Sequence, residues 1–171
     1  IWLNEGNYLI AAYYAHQYAE NENSLISWAE AGKLFYKANQ ELKSVDEKSF
    51  SLNKAVDCYE SALKTDSENN DILADLALCY VENPEEPMKG VKMLLEIVNK
   101  NPDHIKANMN LGILSIKSGQ YEKAISRFEK VLTIDKSNSE ALLKLIEVME
   151  LTGNTDKSNE YRKIYAGLKS T

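Results

Sequence analysis

The sequence predicts an all-α fold, a row of antiparallel helix pairs laid in constant phase. Three observations carry that reading. The stretch GQYEKAISRFEKVL, Gly119–Leu132, is echoed by GNYLIA at Gly6–Ala11 and GNTDKS at Gly153–Ser158. Gly119 and Gly153 stand 34 apart, as do Leu111 and Leu145, while Leu76 to Leu111 and Tyr59 to Leu94 are 35. A fixed period of this size marks a repeat array. Within each unit, apolar residues recur at the spacing of one helix face: Leu73, Leu76, Ala77 and Tyr80, then Ala55, Tyr59 and Ala62 in the unit before. A lone pair of such helices cannot cover its own apolar faces, so the pairs stack and the period is kept. Three prolines and seven glycines in 171 residues also argue against a fold of many short strands.

Taken in order, residues 1–24 read as a partial repeat. Gly6 marks its turn, Ile1–Leu3 are what remains of its first helix, and the chain is expected to begin part-way through a unit. Its remaining helix, YLIAAYYAHQYA, is rich in tyrosine and carries no charge over Tyr8–Ala19. Two readings fit: a docking surface, or core uncovered by the missing half-repeat. Residues 25–69 form a long repeat carrying Trp28, Ala31, Gly32 and Phe35, then Ala55, Tyr59 and Ala62. Trp28 to Leu73 spans 45 residues. The surplus falls near SVDEKSFS, Ser44–Ser51, and predicts an extended helix over Leu25–Leu42 followed by a polar loop. Residues 70–104 carry Leu73, Leu76, Ala77 and Tyr80, then Gly90, Leu94, Ile97 and Pro102. The prolines of NPEEP, Asn83–Pro87, suit a helix stop and restart. Residues 105–138 carry Leu111, Gly112, Tyr121, Ala124 and Phe128. Gly119 closes the first helix there, where a left-handed residue is wanted. Residues 139–171 carry Leu142, Leu145, Ile146 and Met149, then put Ser158 and Arg162 where Ala and Phe stood. A terminal repeat needs a wetter outer face. SNSE, Ser137–Glu140, has the capping-box spacing ahead of that unit.

These residues resemble the tetratricopeptide repeat, whose pattern is W-x2-L-G-x2-Y, then A-x3-F, then P. The resemblance implies a right-handed superhelix, an α-α solenoid, whose first helices line a concave groove. It implies that the second, fifth, ninth and twelfth positions of each first helix face the groove. In the unit from Leu25 these are Ile26, Ala29, Lys33 and Tyr36. In the last unit they are Glu140, Leu143, Glu147 and Glu150. The middle units supply the candidate partner site: Asp71, Ala74, Leu78 and Val81, then Lys106, Met109, Ile113 and Ile116, with Asn110 beside them. Ala74, Leu78, Val81, Met109, Ile113 and Ile116 would make an apolar strip bordered by Asp71 and Lys106. A helix apolar nearly all round, as Ile105–Ile116 is, normally has every side covered. The cover is a ligand helix or peptide, an oligomer contact, a neighbouring segment, or the curvature of the array itself. The chaperone-tail clamp of the family is not expected. Its Lys/Asn cradle falls here on Ala29, Lys33, Asp75, Lys106 and Asn110; only Lys106 matches, and Asp75 would repel a carboxylate.

The run WAEAGKLFYKANQELKSVDEKSFSLNKAVDCYESALK with LALCYVENPEEPMKGVKMLLEIV looks like a group of bacterial tetratricopeptide proteins carrying an N-terminal membrane anchor. That resemblance implies membrane association if an anchor lies upstream, on the periplasmic or the cytoplasmic side, and a cytoplasmic place otherwise.

Charge and motifs set further bounds. The net charge of −6 disfavours nucleic acid, which needs clustered Lys and Arg. Through His104 there are 9 basic and 18 acidic residues; from Ile105 on there are 11 and 8. No apolar run approaches the roughly 20 residues of a membrane span, so no insertion is expected within this chain. Cys58 and Cys79 lack any CxxC or Cys/His spacing. His16 and His104 have no paired nucleophile, and no phosphate loop, HExxH or GxSxG occurs. The expectation is therefore a non-enzymatic module without cofactor, metal or catalytic residues. It binds a peptide or helix of a protein partner, or else it acts as a structural, self-associating element of a larger protein.

Overall fold

The computed structural model describes residues 7–169. Among them are nine helices and no strand: α1 (Tyr8–Glu22), α2 (Leu25–Glu41), α3 (Val45–Leu63), α4 (Asn70–Glu82), α5 (Pro87–Lys100), α6 (Ile105–Lys117), α7 (Tyr121–Ile134), α8 (Ser139–Leu151) and α9 (Thr155–Leu168). The expectations placed on Ile1–Leu3 and Gly6 lie outside the described residues. The chain forms two compact units, residues 1–93 and 94–171, with the boundary inside α5. The all-α reading holds.

The phase of the array is written in its caps. The side chains of Asn69, His104 and Asn138 accept hydrogen bonds from Ile72, Ala107 and Ala141 N–H at the starts of α4, α6 and α8. These residues stand 35 and 34 apart, so each first helix opens on a satisfied orphan donor at the same place in its unit. The cap of α8 is Asn138, not Ser137 as the capping-box spacing suggested. Ser137 instead turns its hydroxyl onto Asp135 at 2.7 Å. The first helices of the last two units end alike. Gly119 and Gly153 take φ of 71° and 73°. Gln120 N–H then reaches back to Ser115 C=O, and Asn154 N–H to Met149 C=O, both at 2.8 Å. Pro87 is the first residue of α5, where its missing N–H costs nothing.

The hairpins α2–α3, α4–α5 and α6–α7 are each closed by a small residue meeting a large or backbone neighbour. A Cβ on Gly32 would lie 3.0 Å from the Tyr59 ring, and one on Gly112 would lie 2.5 Å from the Phe128 ring. In α4 and α5 the roles are exchanged: a Cβ on Gly90 would lie 2.1 Å from the Ala77 carbonyl oxygen. Tyr59, Phe128, Ala55, Ala77 and Ala124 are all buried at these crossings.

The surplus of the long unit is helix, not a polar loop. α2 has 17 residues and α3 has 19, against 13 in α4, α6 and α8 and 14 in α5, α7 and α9. Only residues 42–44 join α2 to α3. Ser44 caps α3, Asp46 and Glu47 occupy its first turn, and the helix dipole favours them there. Two bonds tie the added turns together: Asn39 Nδ2 donates to Lys48 C=O at 2.8 Å, and buried Ser51 Oγ donates to Phe35 C=O at 2.7 Å.

Cys58 and Cys79 are free and fully buried. Burial pushes both thiols up, Cys58 to about 12, with nearby acidic side chains adding to the shift.

Gly90→Ala should destabilise the chain by about 1–3 kcal/mol in chemical denaturation, although alanine favours a helix by about 1 kcal/mol, because backbone cannot yield as a side-chain tip does. The thiols set a pH window. A thiol whose folded value is raised contributes stability that is present below the ordinary value of 9.0. That contribution is lost as the pH climbs from there towards about 12. Denaturation midpoints should fall over that range, and Cys58→Ala with Cys79→Ala should flatten the fall. At neutral pH neither thiol should react with a disulfide reagent until the chain unfolds.

Candidate functional site

Among the residues expected on the inner side of the first helices, the two units differ. In residues 1–93, Asp71 is exposed, Leu78 and Val81 are half-buried, and Ala74 is fully buried against the core. Ala74 has no surface to offer a partner. Tyr36 of α2 is largely covered; burial raises its hydroxyl above the usual range, helped by the charges of Glu82 and Asp75 on α4. Ile26, at the same face of α2, is 77% exposed.

In residues 94–171, the six consecutive residues Ala107–Gly112 of α6 are buried, so the start of this helix is covered all round. Met109 belongs to that core. Lys106, Ile113 and Ile116 are half-buried. On α8, Leu143, Glu140, Glu147 and Glu150 are exposed, with Lys144 Nζ on Glu147 at 2.8 Å and Arg162 on Glu150.

Two asparagines two positions apart on α6 behave differently. Asn108 is fully satisfied: its Nδ2 donates to Pro102 C=O at 2.9 Å and His104 C=O at 3.0 Å, and its Oδ1 accepts from Arg127 on α7 at 2.9 Å. Asn110 is only 9% exposed, and its Nδ2 has no hydrogen-bond partner. A buried amide left without a partner costs about 1–3 kcal/mol. That cost is recovered when something accepts the bond.

A second feature lies on α1–α3. A groove of about 650 Å³ runs between Ile10, Tyr13, Tyr14 and Glu20 of α1 and Phe50 and Lys54 of α3, with Phe35 of α2 at its base. His16 closes the base, its ring edge-on to Trp28 at 5.4 Å and to Phe35 at 6.1 Å. Sequence reasoning missed this groove because it read the segment holding Phe50 as loop. The available signal was Ser44-Val45-Asp46-Glu47, a capping-box spacing ahead of an apolar pattern.

Among the described residues no group of three His, Cys, Asp or Glu side chains could hold a metal ion, and no helix is long and apolar enough to cross a membrane.

Residues 115–160 match the model of the tetratricopeptide repeat family. A lipopolysaccharide assembly protein B of Haemophilus influenzae is 28% identical over 116 residues, 65% of this chain and 29% of its own length. A transcription factor tau subunit of Schizosaccharomyces pombe is 31% identical over 90 residues, 52% of this chain and 9% of its own. The chain thus spans less than a third of either relative. Among solved structures, the tetratricopeptide protein TTC0263 of Thermus thermophilus superposes with a TM-score of 0.74 at 13% identity, over 86% of this chain and 76% of that one. Residues 115–160 thus carry the tetratricopeptide repeat, and the helix pairs of the described chain share the all-α fold of its solved neighbours.

Proposed function

We propose that the chain is a non-enzymatic module that takes a peptide or helix of a protein partner on the inner side of its first helices. The observation that supports this best is Asn110. It keeps a costly unpaired amide beside half-buried Lys106, Ile113 and Ile116. Turned outward from its closed position, that side chain would donate to a peptide carbonyl while the peptide's apolar side chains covered the two isoleucines. Within residues 1–93, Leu78 and Val81 with exposed Asp71 offer a like surface on α4; buried Ala74 there, and Met109 on α6, are backing rather than surface. The likeness to a lipopolysaccharide assembly protein supports work beside a membrane as part of a longer protein; the cytoplasm is the other reading.

Peptides selected from a displayed library on the immobilised chain provide the probe. Their titration should perturb the amide resonances of Lys106, Asn110 and Ile113. Ile113→Glu should weaken binding by tenfold or more, with helicity unchanged. Asn110→Leu should weaken binding while leaving the free chain as stable or more so, because it removes an unpaired polar group. Selected peptides that bind both variants as well as the parent overturn the reading.

A further inference from the structure

We propose that the groove between α1 and α3 is a self-association surface, occupied by α1 of a second copy in a two-fold dimer. Four aromatic side chains stand open here: Tyr13 at 56%, Tyr14 at 55%, Tyr18 at 61% and Phe50 at 54% exposed. Tyr13, Tyr14 and Phe50 line the groove itself. Aromatic residues grouped on an uncharged face are the usual anchors of a protein interface. The wall they stand on is held rigidly. Phe50 sits on the extra turn of α3, beside the Asn39–Lys48 and Ser51–Phe35 bonds that lock that turn onto α2. A flexible insertion would not keep a phenylalanine open in one place.

Charge selects the occupant. Residues 1–93 hold 16 acidic and 8 basic side chains, so two copies of this unit carry like net charge and their acidic faces repel. α1 offers the exception, with no Asp, Glu, Lys or Arg over Tyr8–Ala19. A two-fold contact presents the same patch on both sides and must be self-complementary. The rim meets that requirement: Glu20 stands on the α1 side and Lys54 on the α3 side. Their partners within the chain are held loosely, half-buried His16 at 3.8 Å from Glu20 and exposed Asp57 at 3.8 Å from Lys54. With α1 of one copy antiparallel to α1 of the other, each Glu20 faces the other copy's Lys54, and tyrosine and phenylalanine fill the centre.

Sedimentation of the 171-residue chain across a wide concentration range tests this, because a dimer follows mass action. A monomer–dimer equilibrium is expected, and Phe50→Glu should weaken it by tenfold or more. Glu20→Lys and Lys54→Glu should each weaken it, and the double reversal should restore it, since only a contact between these two positions is repaired by exchanging them. Circular dichroism checks that each variant folds; if Phe50→Glu does not, the charge exchange carries the test. A monomer at every concentration overturns the proposal and leaves the groove to another protein or to an adjoining segment. So does a dimer indifferent to Phe50, or one that the double reversal fails to restore.

Discussion

The close approach of the two helices in the hairpins α2–α3, α4–α5 and α6–α7 is the constraint on which the rest depends. At Gly32 and Tyr59, and at Gly112 and Phe128, a ring lies where a side chain on the glycine would be. Such a crossing fixes three things together: the rotation of each helix, the depth at which they pack, and the residue type at both ends of the contact. Once those are fixed, the outward faces follow, because every other position lies at a set angle from the crossing. The period of the sequence is the consequence. The last hairpin shows what happens without the crossing. Ile146 and Arg162 stand at the equivalent places, and α9 buries only Ser158. An arginine there cannot close on its partner helix, so it reaches out to Glu150, and α9 stays largely open to water.

What the sequence made legible was whatever repeats. The crossings, the left-handed glycines and the first-helix faces recur in phase, so each instance supported the others. The long unit was less legible because its surplus has no counterpart. Composition alone reads SVDEKSFS as polar loop, but a helix exposed on most of its surface is polar for the same reason. The decisive signal was Ser44 with Glu47 three residues on, and the same spacing misled at Ser137–Glu140. The difference is physical. Ser44 is followed by apolar residues that the helix can bury, Leu52 and Ala55, whereas Ser137 competes with Asn138, whose side chain reaches the same donors while Asp135 takes the serine hydroxyl.

The candidate site was legible as a helix face but not as a surface. Ala74, Leu78 and Val81 share a side of α4 by spacing, yet Ala74 is covered because a small residue sits deeper under its neighbours than a large one. Asn108 and Asn110 look alike in sequence. One is anchored by Arg127, nineteen residues away, and the other is not. No pattern within one unit foretells that, since it depends on which side chain the facing helix presents.

The added turns of α2 and α3 explain how a repeat array gains a surface without losing its phase. A residue inserted inside a crossing would rotate every later side chain off its face. Growth at the joined ends of both helices avoids this: Gly32 to Tyr59 spans 27 positions against 16 from Gly112 to Phe128, and the added residues extend the end of α2 and the start of α3. The crossing of Gly32 with Tyr59 stays where it was. The new turns still need their own polar groups satisfied and their own apolar contacts. Asn39 and Ser51 supply the first, bonding across the hairpin to Lys48 and Phe35, and Leu52 supplies the second. What remains unspent is Phe50, turned outward toward the tyrosines of α1. An extension kept only as a tolerated insertion has no reason to hold a large apolar residue open to water in that direction. Its rigidity and its aromatic face follow together if the turn exists to form one wall of the groove.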